Sequence, residues 1–193
     1  MDKHVQLLVG LGNPGLQYEQ TRHNAGANFI HALLKYYPVD LKVEGKFYGS
    51  TARIKIRNQD LRLLIPNTFM NLSGKSIAAM AGFYDISPDN ILVAHDDIDL
   101  DPGILKFKIG GGHGGHNGLK DTIRSLGDNN NFARLRIGVG HPGQASEVVD
   151  FVLKKAPKKE QKLIDESIIS SIGVIPLAIS GNWDQAMKDL HTK

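Results

Sequence analysis

One histidine of the chain is well placed for proton transfer. His23 lies in the segment Thr21-Arg-His-Asn-Ala-Gly26, just before or within the first turn of a predicted helix and shortly after a glycine-rich turn. Histidine is the side chain best suited to accept a proton near neutral pH. A surface residue or a helix cap would explain the same histidine, so this segment alone leaves both interpretations open.

A cluster of carboxylates follows a predicted buried strand. The segment His95-Asp-Asp-Ile-Asp-Leu-Asp101 ends that strand, and His113 and His116 come soon after it in the chain. A divalent metal site is one interpretation, but adjacent aspartates point in different directions and the spacing is not that of a zinc-binding helix. A carboxylate that orients a catalytic histidine fits the cluster at least as well.

A glycine-rich turn follows the first predicted strand. Gly10-Leu-Gly-Asn-Pro-Gly15 matches the dinucleotide-binding pattern G-x-G-x-x-G. Pro14 has no amide to donate to a pyrophosphate, and no acidic residue ends a second strand about 20 positions later. The other interpretation is a tight turn at the carboxyl edge of a sheet, which places Asn13 at the rim of a cleft.

Two further segments have the composition of ligand-binding loops. In Pro66-Asn-Thr-Phe-Met-Asn-Leu-Ser-Gly74, we expect Phe69 and Met70 to be exposed beside Asn71, although Asn71 could simply cap a helix. In Lys108-Ile-Gly-Gly-Gly-His-Gly-Gly-His-Asn-Gly-Leu-Lys120, glycines would expose backbone amides to an anion at a helix start. A purely structural glycine loop is the alternative for the second segment.

Charge is unevenly distributed along the chain, although the net charge is only +3. Between Ser76 and Leu105 there is no Lys or Arg and aspartates accumulate. The basic residues that follow are Lys106, Lys108, Lys120, Arg124, Arg134 and Arg136. Two solvated faces would account for this order, and so would an acidic site beside a surface that binds anions.

Composition limits the class of protein. The chain has 193 residues, 41% of them hydrophobic and 22% charged, which predicts one globular domain over residues 1–193. The apolar runs are far shorter than the ~20 residues that cross a bilayer. Residues 1–6 lack a signal sequence, so we expect no export. The absence of cysteine excludes disulfides, thiolate nucleophiles and cysteine-bound zinc, and is compatible with the cytoplasm.

The elements that must position these residues alternate between strands and helices. This order predicts an α/β fold with a twisted, mixed sheet and helices on both faces, because an early hairpin adds antiparallel strands. Strands are predicted at Val5–Leu11, Phe47–Arg57, Leu61–Pro66, Ile91–His95, Leu105–Ile109 and Leu135–Val139. Helices are predicted at Asn24–Tyr37, Ser73–Tyr84, Leu119–Leu126, Ser146–Lys154, Lys158–Ala178 and Trp183–Leu190, with Pro176 ending or kinking the long one.

Taken together in this order, the segments closely resemble bacterial-type peptidyl-tRNA hydrolase from Leu8 to about Glu166. The segments that carry the resemblance are Gly10–Gly15, Thr21–Gly26, Thr68–Lys75, Leu92–Asp97, Gly110–Lys120 and Arg134–Gly143. The resemblance implies hydrolysis of the ester between a peptide and the terminal ribose of tRNA. It also implies a monomer that uses no metal or organic cofactor.

The same resemblance implies roles for individual residues. His23 would be the general base that activates water, Asp96 would hold its imidazole, and Asn13 would distinguish blocked from free aminoacyl groups. Lys108 and Arg136 would clamp phosphate at the acceptor end of tRNA. The predicted substrate- and tRNA-binding residues are Tyr18, Phe69, Met70, Asn71, Lys108, His116, Asn117 and Arg136. No G-x-S-x-G elbow or cysteine is present, and an activated ester needs no covalent nucleophile.

Three other classes of protein compete with this prediction. A non-enzymatic RNA-binding module would use the region from Lys108 to Arg136 and keep His23 only for structure. A metal-dependent hydrolase would be built on Asp96, Asp97 and the histidines. A dehydrogenase would be built on the first glycine turn.

Overall fold

Strands and helices alternate along most of the chain, whose computed structural model describes residues 4–191. The strands are β1 (Leu7–Gly10), β2 (Lys42–Glu44), β3 (Gly49–Ile56), β4 (Gln59–Pro66), β5 (Ile91–Asp97), β6 (Leu105–Ile109) and β7 (Ala133–Gly138). The helices are α1 (Ala25–Tyr36), α2 (Ser73–Phe83), α3 (Asn117–Ser125), α4 (Val148–Val152), α5 (Lys158–Ile172), α6 (Ile175–Ile179) and α7 (Trp183–His191).

The strands form one mixed sheet in the order β2-β3-β4-β1-β5-β7-β6. The four central strands β4, β1, β5 and β7 pair in parallel, whereas β2, β3 and β6 add antiparallel pairs at the two edges. The predicted mixed α/β sheet is therefore confirmed. Because β1 and β5 are parallel neighbours, the loops that leave their carboxyl ends start side by side, which is where α/β proteins bind ligands.

Helices cover both faces of the sheet, as predicted, because side chains of the central strands alternate between two apolar cores. Leu8 of β1 faces the core under α1, α5, α6 and α7, whereas Leu7 and Val9 face the core under α2 and α3. Helix α1 buries Phe29, Ile30 and Leu33, which recur at helical spacing. Two helix starts on opposite faces can thus reach the same strand end.

Helix α1 begins in close contact with the sheet, and this contact requires glycine. A Cβ atom at Gly26 would lie 2.1 Å from the Ala94 carbonyl oxygen and 2.6 Å from the Leu11 amide nitrogen. A Cβ atom at Gly10 would lie 2.3 Å from the Gly26 carbonyl oxygen. The absent side chains let the segment before α1 lie directly over the carboxyl ends of β1 and β5.

Two element predictions differ from the structure. The edge strand β2 was not predicted, because its residues are mostly exposed and show no apolar alternation. The predicted helix Lys158–Ala178 is two helices: α5 ends at Ile172, and Pro176 lies in the first turn of α6, where its missing amide is tolerated. Within residues 4–191, no helix is long and apolar enough to span a membrane.

Candidate active site

A buried histidine–aspartate pair lies at the carboxyl end of β5. The His23 Nδ1 atom lies 2.9 Å and 3.0 Å from the two carboxylate oxygens of Asp96. His23 is 8% exposed and Asp96 2% exposed. Because Nδ1 donates its proton to this carboxylate, the neutral ring keeps a free electron pair on Nε2. The structure thus brings together the two residues for which a base and its partner were predicted.

Each member of the pair changes the pKa of the other. Burial would lower the pKa of His23, but the charge of Asp96 and its hydrogen bond outweigh burial and raise that pKa above its ordinary value. Burial would likewise raise the pKa of Asp96, but the two neighbouring imidazoles hold it well below its ordinary value. Asp96 is therefore a carboxylate throughout the physiological range, and His23 titrates above its ordinary pKa.

A second histidine, His116, contacts the same carboxylate from the opposite face of the sheet. Its Nε2 atom lies 2.8 Å from Asp96 Oδ1. Its Nδ1 atom accepts hydrogen bonds from the amides of Gly118 and Leu119 at 3.1 Å and 3.3 Å and so caps α3. An accepting Nδ1 carries no proton, so the ring proton is on Nε2 and is donated to Asp96. Both ring nitrogens thus have partners within the protein, while the predicted contact of His116 with the substrate stays a prediction.

Asn13 is held in one orientation beside the pair. Its Oδ1 atom accepts a hydrogen bond of 2.7 Å from the Met70 amide, so its Nδ2 donor is the end left for a ligand. The Asn24 side chain holds the Asn13 backbone through two reciprocal bonds, of 2.8 Å to the amide and 3.0 Å to the carbonyl. Sequence reasoning missed Asn24, although its position next to His23 was a usable signal.

His23, Asp96 and Asn13 open into a cavity of about 950 Å³. This volume lies within the range of small-ligand sites. Predicted binding residues that line it are Phe69, Met70, Asn71, Lys108, His116, Asn117 and Arg136. Tyr18 lies beside the lining, and its ring meets the edge of Phe69 with centroids 6.4 Å apart.

The predicted exposure is right for Phe69 and wrong for Met70. Phe69 is 57% exposed, whereas Met70 is 4% exposed. Met70 is buried because its sulfur packs where a Cβ atom of Gly118 would lie, and Ser73 donates to its carbonyl at 2.7 Å. Met70 therefore fixes Asn13 and the start of α2 rather than presenting a free apolar surface.

Cationic side chains of β6 and β7 also line the cavity. Arg136 Nε donates to Asp97 at 2.7 Å, so one aspartate of the cluster is used to orient an arginine. Lys108 is exposed. The buried Arg134, which was not predicted as a site residue, donates to the carbonyls of Gly111 and Gly112 and holds the glycine-rich loop. Lys108 and Arg136 thus remain available at the cavity surface.

A further buried histidine was also missed. His95 is 3% exposed, and its Nδ1 donates to the Asp96 carbonyl at 2.7 Å. Burial lowers the pKa of His95 to about 4, and His116 acts in the same direction. His95 is therefore neutral near pH 7 and orders the backbone of the residue that holds His23.

The side-chain arrangement does not suit a metal or a dinucleotide. The ligand atoms of His23, Asp96 and His116 lie within 4.8 Å of one another. His116 Nε2, however, carries a proton while its Nδ1 caps α3, so metal binding would require breaking that cap. The glycine turn also does not lead directly into a helix, because after Gly15 the chain passes through two short 3-10 turns and α1 begins only at Ala25.

The fold and this pair define a class: an α/β protein with a buried histidine–carboxylate pair at the carboxyl edge of a mixed sheet. Residues 7–193 match the family model described as peptidyl-tRNA hydrolase. The chain belongs to the peptidyl-tRNA hydrolase family. The family match also continues beyond Glu166, where the resemblance in sequence had been placed to end.

Similar proteins from several bacteria cover almost the whole chain. The peptidyl-tRNA hydrolase of Pseudomonas syringae pv. syringae (strain B728a) is 57% identical over 189 residues, 98% of this chain and 97% of that protein. That of Aeromonas hydrophila subsp. hydrophila is 55% identical over 192 residues, 100% of this chain and 97% of that protein. The crystal structure of peptidyl-tRNA hydrolase from Acinetobacter baumannii has a TM-score of 0.94 and 46% identity, and covers 99% of this chain and 96% of that chain.

Proposed function

We propose that this chain hydrolyses the ester bond between a peptide and the terminal ribose of tRNA, with His23 as the general base. The observation that carries this proposal is the buried His23–Asp96 pair, which leaves Nε2 free at a cavity that Lys108 and Arg136 also line. An ester beside the pair and a phosphate beside Lys108 would both be accommodated. A non-enzymatic RNA-binding role is disfavoured, because a purely structural histidine would not need a buried carboxylate and an open Nε2.

The proposed reaction needs only water and the protein. His23 Nε2 takes a proton from water while the water oxygen bonds to the ester carbonyl carbon. The imidazolium that forms is stabilised by Asp96, which stays ionised. The bond from the carbonyl carbon to the ribose oxygen then breaks, and His23 returns the proton to that oxygen. The products are a free peptide acid and a tRNA with an intact terminal ribose.

Asn13 would select the substrate. Its Nδ2 donor can bind a carbonyl oxygen of the peptide or the oxygen that gains charge during attack. An unblocked aminoacyl group instead carries an ammonium, which would meet a donor and find no acceptor there. The penalty for that unpaired charge would favour blocked substrates.

His116 would act as a positioning residue. By donating to Asp96 Oδ1, it fixes the carboxylate in the orientation that receives His23. By capping α3, it also ties that orientation to the start of the helix that carries Asn117. Both effects would preserve the geometry needed for proton transfer.

The remaining cavity residues would bind the acceptor end of tRNA. Lys108 and Arg136 would contact phosphate, Phe69 with Tyr18 beside it would stack on a terminal base, and Asn71 and Asn117 would hydrogen-bond the nucleotide or peptide. Because its substrate would be peptidyl-tRNA, we propose that the chain acts in translation, in the cytoplasm. A complete site within one chain is compatible with a monomer.

Turnover of N-acetyl-aminoacyl-tRNA by the purified protein tests this function. We expect release of N-acetyl amino acid and intact tRNA, with the same rate after exhaustive chelation. Binding of tRNA without hydrolysis would support the RNA-binding module, and loss of activity on chelation would support a metal-dependent hydrolase.

A further inference from the structure

A second basic surface lies at the corner between α4 and α5. It is formed by four exposed lysines, Lys154, Lys155, Lys158 and Lys159, which we call the lysine corner. Among the residues that the structure describes, none of the four forms a salt bridge. Four neighbouring cations without a partner would attract an anion.

The lysine corner is docked rigidly beside the candidate base. The buried Arg22 donates from Nη1 to the carbonyl of Phe151 at 3.0 Å, and its guanidinium stacks on the Phe151 ring at 3.8 Å. The Arg22 amide donates to the Lys154 carbonyl at 3.1 Å, and Thr21 forms a β-bridge with Lys155. Since His23 follows Arg22 directly, the corner is held at a fixed distance from the reacting centre.

The lysines at the start of α5 interact unfavourably with the dipole of that helix. Lys158 and Lys159 occupy the first turn of α5, where the helix dipole disfavours cations. The acid of that turn, Glu160, lies 3.5 Å from Arg22 and is thereby oriented toward the docking arginine. An anion at this helix start would offset both the dipole and the repulsion among the lysines.

Helix α4 connects the cavity to the lysine corner. Val149, Val152 and Leu153 line the cavity, and the chain then turns onto Arg22 at the end of α4. The lysine corner therefore begins at the end of a helix that lines the cavity. A substrate that extends out of the cavity past α4 would meet the corner.

We infer that the lysine corner is a second contact surface for the phosphate backbone of tRNA, outside the acceptor end. This inference rests on the proposed function, which supplies a polyanion whose end is held in the cavity. Regularly spaced phosphates fit several separated lysines, and such contacts add affinity without reading sequence. An acidic peptide attached to the tRNA is the competing occupant.

The test compares the double variant Lys158→Gln/Lys159→Gln with a control that removes the same charge elsewhere. The control is Lys42→Gln/Lys55→Gln, because these exposed lysines lie on β2 and β3, at the β2 edge of the sheet. The probe is deacylated tRNA, which carries no peptide. Its Kd is measured by fluorescence anisotropy as a function of salt concentration, and thermal melting confirms that both variants are folded.

We expect the corner variant to bind deacylated tRNA roughly tenfold more weakly at low salt, with a salt dependence flatter by about one to two units of slope. The control should change the slope by less than about half a unit. An unchanged slope in the corner variant, while wild-type protein still hydrolyses its substrate, would overturn the inference and leave the proposed function standing. Slower hydrolysis confined to substrates with acidic peptides would overturn it in favour of the peptide.

Discussion

Replacing His116 should change both the stability of α3 and the titration of His23. In His116→Ala, α3 loses its side-chain cap, which costs about 0.5–2 kcal/mol. Asp96 also loses one of its hydrogen bonds, and a bond to a charged group contributes about 1.5–3 kcal/mol. The free energy of unfolding should therefore fall by on the order of 3 kcal/mol.

Replacing His116 by alanine should also shift the pH dependence of activity in one direction. His116 competes with His23 for Asp96 Oδ1, so its removal leaves the carboxylate freer to stabilise the His23 imidazolium. The pKa of His23 should therefore rise beyond its already raised value. The rising limb of the profile of kcat/KM against pH should move to higher pH.

His116→Asn separates the two effects. Asparagine is a good cap, so it should restore most of the stability of α3, but its short side chain cannot also reach Asp96. The assays are urea unfolding and the pH profile of kcat/KM on N-acetyl-aminoacyl-tRNA. Wild-type pH profiles in both variants would contradict the competition of His116 and His23 for Asp96. An asparagine variant that regains that profile together with the stability would contradict it as well.

Three further predictions concern the rest of the site. Asn13→Asp should keep the bond from the Met70 amide but turn an anion toward the substrate, and so should narrow the ratio of kcat/KM for N-acetylated over free aminoacyl-tRNA; a wild-type ratio would remove Asn13 from discrimination. Lys108→Ala and Arg136→Ala should each flatten the salt dependence of tRNA binding by about one unit of slope, with little effect on small blocked esters; equal losses on both substrates would place them at the reacting centre. In the wild-type protein, the low pKa of His95, about 4 in the folded state, makes protonation favour the unfolded chain as the pH falls from about 6.5 to 4. His95→Asn should therefore lose about 3 kcal/mol less of its free energy of unfolding over this pH range. Acid unfolding curves of the two proteins that superimpose would contradict this.

The positions of the proposed base and its partner could be predicted because they follow recognisable strand and helix boundaries. His23 precedes a helix with clear apolar periodicity, and Asp96 ends a short apolar strand. The neighbouring loops at the carboxyl ends of parallel strands then bring them together. The roles of His116 and Asp97 could not be predicted in this way, because the distances from Asp96 to His116 and from Asp97 to Arg136 depend on how separate elements pack.

Several structural details are absent from the sequence pattern for physical reasons. The strand β2 has Val43 77% exposed, so pairing with β3 rather than burial defines it. The break between α5 and α6 falls at Gly173, whereas the periodicity of apolar residues continues through it. The burial of Met70 depends on close packing against Gly118, which lies in a different helix. Such contacts between distant segments override local patterns.

The most direct test of the central claim is the rate of single-turnover hydrolysis by His23→Ala, measured beside its affinity for deacylated tRNA. His31→Ala is the matched control, because His31 is an exposed histidine on the adjoining helix α1. With His23 as the base, its removal should lower the rate by about 10²- to 10⁴-fold and leave the Kd for tRNA nearly unchanged, whereas the control keeps both. A hydrolysis rate in His23→Ala equal to that of the control would contradict the account.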